Sequence, residues 1–227
     1  MDSTFVYEIA VWLIPLVIAI VFHEVAHGLV ARKLGDPTAE AKGRLSLNPI
    51  RHVDPVGTII LPMILAISHA PVFGWAKPVP VDYRRLRNPR RDMILVALAG
   101  PGMNLLLALV AAAILAVTIG MSGGARSGVV AFVAANAFNF LLINIFLAVF
   151  NLLPVPPFDG GHVVEGLLPR PLAASFRKIG RYSLLVLIIL LLVLPMLSPK
   201  ADVVGRLVSP IVGGVARLFL GIFGLAT

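Results

Sequence analysis

Three stretches of this chain are long and almost free of charge, and they decide what it can fold into. Residues 5–22 hold 18 residues with one charged side chain, Glu8, while residues 93–120 and 129–153 hold none. Each reaches the roughly 17–25 residues that a helix needs to cross a hydrocarbon layer. In lipid every backbone polar group must be paired within its own segment, so such runs are helices. A further run, 182–198, is also uncharged, and 203–225 carries only Arg206 and Arg217. These two arginines are eleven residues apart and share a helical face. Residues 203–225 are therefore either another span or an interfacial helix lying along the membrane.

Only 13% of the residues are charged and 59% are hydrophobic, with a mean hydropathy of +0.96; soluble domains carry about 25% charged residues. The expected class is an all-α polytopic membrane protein with about five to six membrane helices. It forms a single domain over 1–227, with a core at 5–165 and C-terminal helices at 182–198 and 203–225. A net charge of +8 would suit nucleic acid in a soluble protein. Here the basic residues sit in short loops between apolar runs, where they set orientation and meet lipid headgroups. The bilayer is the implied partner, and nucleic acid is not. No Lys or Arg precedes the first run, so that run reads as a retained helix rather than a cleaved signal.

The connections are distinctive. Within residues 35–55, Gly35 is a helix stop, Gly43 to Leu47 alternates like a short strand, and Asn48-Pro49 and Asp54-Pro55 read as turns. Residues 56–70 are apolar but only 15 long and are interrupted by Pro62, which is short for a crossing. Residues 71–91 then turn basic, and Val79 to Tyr83 reads as extended. Together 56–83 suggests a re-entrant hairpin with short β segments. Such backbone is tolerated at membrane depth only where protein buries it or it lines a cavity. An open strand edge there would suit an extended peptide.

Chemistry concentrates at the inner end of the first run. His23-Glu24-Val25-Ala26-His27 sets two imidazoles four residues apart, on one helical face and about 6 Å apart along the axis. Two imidazoles so placed bind one zinc ion from the same side, and the adjacent glutamate can take a proton from a water. Three ionisable residues beside lipid mark a functional site. The chain has no cysteine, so a metal must be held by nitrogen or oxygen. The third long run leads into Asn151-Leu-Leu-Pro154-Val-Pro156-Pro157-Phe-Asp159-Gly160-Gly161. Its prolines end the helix, and Asp159 is the one carboxylate at the membrane mouth. A hydrolytic zinc site has three protein ligands and an open position, and Asp159 is the natural third after His23 and His27. His52 reads as a solvated loop histidine. His69 and His162 carry no assignment.

Charge gives an independent check. Lys and Arg number five in residues 31–55, six in 77–91 and four in 154–181, fifteen of the nineteen. The positive-inside rule puts these three loops in the cytoplasm. If 56–83 re-enters rather than crosses, the end of the first helix and Asp159 meet at the cytoplasmic side of the cell membrane.

His23-Glu24-x-x-His27 in a hydrophobic helix, followed by Asn151-x-x-Pro-x-x-Pro-x-Asp159-Gly160, resembles the site-2 protease family of intramembrane zinc metalloproteases. So do the Asn48-Pro-x-x-His52-x-Asp54-Pro55 loop and the Ala99-Gly-Pro-x-x-Asn104 stretch. The match covers about residues 18–165 and is to compact prokaryotic members without PDZ or CBS domains. The resemblance implies one zinc per chain held by His23, His27 and Asp159, with Glu24 as catalytic base. It also implies that Asn151 helps to hold the scissile carbonyl or its oxyanion, and that the substrate is a transmembrane protein cut in or near its membrane segment. The competing reading is a zinc-binding membrane protein without proteolytic activity, such as a transporter or an inactive homologue. No internal repeat of the kind common in transporters is visible.

Overall fold

The computed structural model describes residues 3–67, 74–121, 128–198 and 203–225. His69 lies outside them. Among the described residues the chain is helical and has no strand. Its helices are α1 (Ser3–Lys33), α2 (Thr38–Ala41), α3 (Leu61–Ile67), α4 (Pro89–Met121), α5 (Gly128–Asn151), α6 (Asp159–Leu167), α7 (Arg170–Ile188), α8 (Leu194–Leu197) and α9 (Val203–Ile222). A π-helical turn, Pro55–Ile60, leads into α3, and another, Ile189–Val193, joins α7 to α8. Four of the described helices are long and apolar enough to cross a membrane: α1, α4, α5 and α9. The chain is a multi-pass membrane protein. The stretch expected as a span at 182–198 is divided among the end of α7, which begins at Arg170, the π-helical turn Ile189–Val193 and α8.

Helix ends follow local chemistry. α4 starts at Pro89, four residues before the apolar run, because the Asp92 carboxylate accepts the Asn88 N–H at 2.8 Å and Pro89 needs no donor there. α1 stops at Gly35, whose φ of +109° suits glycine alone. Asn48 and Asp54 cap the two turns expected at those positions, accepting from Ile50 N–H (3.0 Å) and from Val56 and Gly57 N–H (3.0 and 2.7 Å).

The core is a three-helix sandwich of α1, α4 and α5, with α6 against α4 and α9 against α5. Ala108, Ala111 and Ala112 of α4 meet Leu141 and Ile145 of α5 and Ala216 of α9. Alanines at the contact let helix backbones approach closely, which is what drives association where lipid is as apolar as leucine. Arg90 latches α6 to the start of α4, donating to the Gly166 carbonyl at 2.8 Å and to that of Leu168.

The expected β segments are not formed. At Gly43–Leu47 the first two backbone donors are spent locally, Gly43 N–H on Glu40 O and Arg44 N–H on Ala39 O. Farther on, Pro78 and Pro80 have no N–H to offer a ladder. The two segments are joined by a side chain instead: buried Arg44 donates to the Lys77 carbonyl at 2.6 Å. The described residues on either side of 68–73 are bonded to each other: Trp75 N–H donates to Gly57 O (3.1 Å) and Lys77 N–H to His52 O (2.9 Å).

Asp36 fastens this loop to the end of α1. It is buried, and it accepts from Thr38 N–H (3.0 Å), from the Thr38 hydroxyl and from Asp82 N–H (2.6 Å). Burial alone would raise its pKa. The Thr38 hydroxyl, the two N–H groups and the nearby Arg85 outweigh it, so the carboxyl lies below its ordinary value. A depressed folded pKa means that this stability is fully present above the unfolded value of about 4 and is lost as pH falls through the folded one. The thermal midpoint in detergent should therefore fall as pH drops below about 4. Asp36→Asn should lower the midpoint at pH 7 by roughly 3–8 °C and weaken that acid dependence.

Candidate metal centre

Two of the three predicted ligands come from one face of α1. His23 and His27 are 7% and 9% exposed, and their Nε2 atoms lie 3.0 Å apart. Asp159 opens α6 after a proline-rich turn, and Gly160 and Gly161 pack closely on the 152–156 backbone. A Cβ on Gly160 would come within 2.3 Å of the Leu152 carbonyl oxygen. The turn brings Asp159 Oδ2 to 3.3 Å from His23 Nε2 and 3.4 Å from His27 Nε2. The three ligand atoms lie within 4.8 Å of one another.

The far sides of both rings are occupied. His27 Nδ1 lies 2.7 Å from the Val96 carbonyl, which can only accept, so Nδ1 carries the proton. His23 Nδ1 donates to Asn104 Oδ1 at 2.5 Å. In the neutral ring, whose one proton then sits on Nδ1, each Nε2 has its lone pair turned toward Asp159. Asp159 Oδ2 is buried and has no hydrogen-bond partner among the described residues. Two imidazole nitrogens and one carboxylate oxygen thus converge, a donor set that a cation between them would satisfy. A tetrahedral ion with bonds of about 2.0–2.1 Å sets its ligand atoms roughly 3.3 Å apart, and the carboxylate–imidazole separations match. Two nitrogens and a carboxylate suit zinc and leave a fourth position open.

Room for this group comes from α4. An alanine Cβ at position 100 would lie 2.4 Å from His27 Nε2 and 2.6 Å from His23 Cε1, so only glycine lets α4 pass behind the imidazoles.

Glu24 is half-buried and outside the ligand triangle. Its Oε2 accepts the Val79 N–H at 2.7 Å. Val79 stands between Pro78 and Pro80, so its N–H is the one backbone donor of that tripeptide. Its buried side chain sits against Gly28, where a Cβ would come within 2.9 Å of Val79 Cγ1. The loop expected to present a strand edge thus presents one N–H to Glu24. Asn151 ends α5, and its side-chain N–H donates to the Leu147 carbonyl of the same helix at 2.9 Å. An amide nitrogen has two hydrogens, so one remains for another acceptor.

His52 corrects an expectation. It is 3% exposed rather than solvated, and its Nε2 lies 2.7 Å from the Ser46 carbonyl. His162 is exposed and lines a small cavity with Phe158, Glu165 and Arg177. Neither belongs to the metal-competent group found among the described residues. Sequence reasoning missed Gly100 and the Val79 N–H as parts of the site. The Ala-Gly-Pro and Pro-Val-Pro runs were the available signals.

The model of peptidase family M50 matches residues 118–192. The protein named "Putative zinc metalloprotease YwhC" of Bacillus subtilis is 37% identical over 209 residues, covering 87% of this chain and 90% of that protein. Two proteins named "Putative zinc metalloprotease Rip2" are similar over 84% of this chain and 68% of their own length. That of Mycobacterium tuberculosis (strain H37Rv) is 32% identical, and that of Mycolicibacterium smegmatis is 29% identical. No solved structure matches significantly.

Proposed function

The chain belongs to peptidase family M50 and is a zinc metalloprotease of that type, and from this we propose that it cuts peptide bonds in or near the membrane segments of other membrane proteins. His23, His27 and Asp159 hold one zinc ion per chain, Glu24 is the catalytic base, and residues 1–227 work as one intramembrane protease domain. The observation that carries this reading is the convergence of His23 Nε2, His27 Nε2 and Asp159 Oδ2, with separations of 3.0 to 3.4 Å.

Zinc held by His23, His27 and Asp159 would supply a Lewis acid that makes water a stronger acid near neutral pH. Glu24 accepts the proton of the attacking water and returns it to the leaving amine nitrogen. The Val79 N–H keeps the Glu24 carboxylate in one orientation between these two transfers. The free N–H of Asn151 is offered to the oxygen of the scissile carbonyl. The substrate must be extended at the cut, because a helical peptide bond is shielded by its own hydrogen bonds.

The bilayer placement follows the charge pattern. The cytoplasmic loops hold most of the Lys and Arg, and the site lies near the cytoplasmic face of the cell membrane. The 56–83 excursion, pinned at Gly57–Trp75, dips into the lipid and returns. The α7–α8 rod adds a fifth membrane helix.

The purified chain in detergent should cut a single-span substrate, stop when zinc is chelated, and recover with about one equivalent of zinc. Zinc bound without cleavage of single-span substrates would favour the non-proteolytic reading. A chain that binds no zinc would refute the site.

A further inference from the structure

The ligand His23 is held by Asn104, and Asn104 is in turn held from a third helix. Asn104 of α4 and Asn144 of α5 are both fully buried. Asn104 Nδ2 donates to Asn144 Oδ1 at 2.8 Å and approaches the Ala19 carbonyl at 3.3 Å. Asn144 Nδ2 donates to the Phe140 carbonyl at 2.8 Å.

The order of these bonds is forced. A carbonyl can only accept, so Asn144 must turn its NH2 to Phe140 and its oxygen to Asn104. Asn104 must then turn its NH2 to Asn144 and its oxygen to His23. An acceptor facing His23 Nδ1 requires the proton there, which leaves the lone pair on Nε2. The two ends of the Asn104 amide are nearly isosteric; the Ala19 carbonyl favours the same orientation at 3.3 Å, and the shorter bond to Asn144 at 2.8 Å fixes it. A reversed amide would stabilise the other tautomer, with its proton on the nitrogen that must bind the metal.

We propose that Asn144 and Asn104 form a polar relay that sets the tautomer of His23, making Asn144 a positioning residue for the metal although it does not touch a ligand. The inference rests on the zinc reading above and adds to it how one ligand is prepared. Its cost also explains its place: buried amides in a membrane core are retained where each has its partners.

The test uses the full chain in detergent, with zinc affinity measured by competition with a chromogenic chelator. Asn144→Leu should weaken zinc roughly 10- to 100-fold, the usual scale for a lost outer partner. In the Asn104→Asp, Asn144→Leu double variant both carboxylate oxygens accept, so orientation no longer matters, and affinity should return to within about threefold of wild type. Asn139→Leu is the control. It removes another buried amide of α5, one that donates to the Val11 carbonyl at 2.8 Å, and should leave zinc affinity unchanged. Ring 15N shifts of zinc-free wild type at alkaline pH, with His23 assigned by its loss in His23→Gln, should show a protonated Nδ1 and a bare Nε2. This measurement needs no folded Asn144 variant. Wild-type affinity in Asn144→Leu, failure of the double variant to recover, equal loss in Asn139→Leu, or a protonated Nε2 in wild type would each overturn the relay. If His23→Ala keeps full zinc affinity, the metal reading fails instead, and the two failures are distinct.

Discussion

Glu24→Gln should leave bound zinc at the wild-type level and slow cleavage of a single-span substrate by roughly 10²–10⁴-fold, the range for a positioned acid–base group. Glutamine has the same length, and its oxygen can still accept the Val79 N–H that now holds Oε2 at 2.7 Å, so the side chain stays in place. Glu24 contributes no atom to the His23–His27–Asp159 group, so the donor set for zinc is untouched. What disappears is basicity, and with it both the deprotonation of water and the protonation of the leaving amine. Zinc content by elemental analysis and initial rates on the same preparation check both halves. Undiminished cleavage would place the base elsewhere or expose a contaminating protease. Loss of zinc would make Glu24 part of the metal's support rather than of the chemistry.

The parts of the site legible in the sequence are those set by local spacing. His23 and His27 are brought together by helical period alone, and Gly35, Asn48 and Asp54 punctuate the chain where their side-chain or backbone chemistry requires. Asp159 was legible because a lone carboxylate after three prolines has few uses, though its approach to within 3.4 Å of both imidazoles depends on how α6 meets α4. Contacts between distant segments were not legible. Nothing local shows that Gly100 must pass within van der Waals reach of His27, or that Val79 offers its N–H to Glu24. The alternation that suggests β segments is not matched by free donors: Pro78 and Pro80 cannot join a ladder, and Gly43 and Arg44 spend their N–H groups locally. A loop position does not show that His52 is buried, because the segment that meets its turn is distant in sequence: Lys77 N–H donates to the His52 carbonyl. Asn104 and Asn144 stood out as polar residues in apolar helices, but their partners depend on how α1, α4 and α5 cross.

Asp159→Ala should lower zinc affinity by roughly 10²–10³-fold while leaving the fold in place. A four-ligand zinc site is worth about 10–16 kcal/mol, so one ligand accounts for about 2.5–4 kcal/mol. In the folded protein Asp159 otherwise serves only as an acidic residue in the first turn of α6, a role worth about 0.3–1 kcal/mol. The two contributions separate by experiment. Without zinc, the thermal midpoint of the variant should lie within about 4 °C of wild type without zinc. With zinc at a concentration 100 times the wild-type dissociation constant, wild type gains about 2.7 kcal/mol of stability and the variant almost none. Asp159→Asn keeps the size and the helix start but not the charge, and should fall with the alanine variant in zinc binding. If both variants still show the full zinc-dependent shift, the third ligand is another group and the proline-braced turn has a structural task instead. If both unfold without zinc, the carboxylate organises the turn itself.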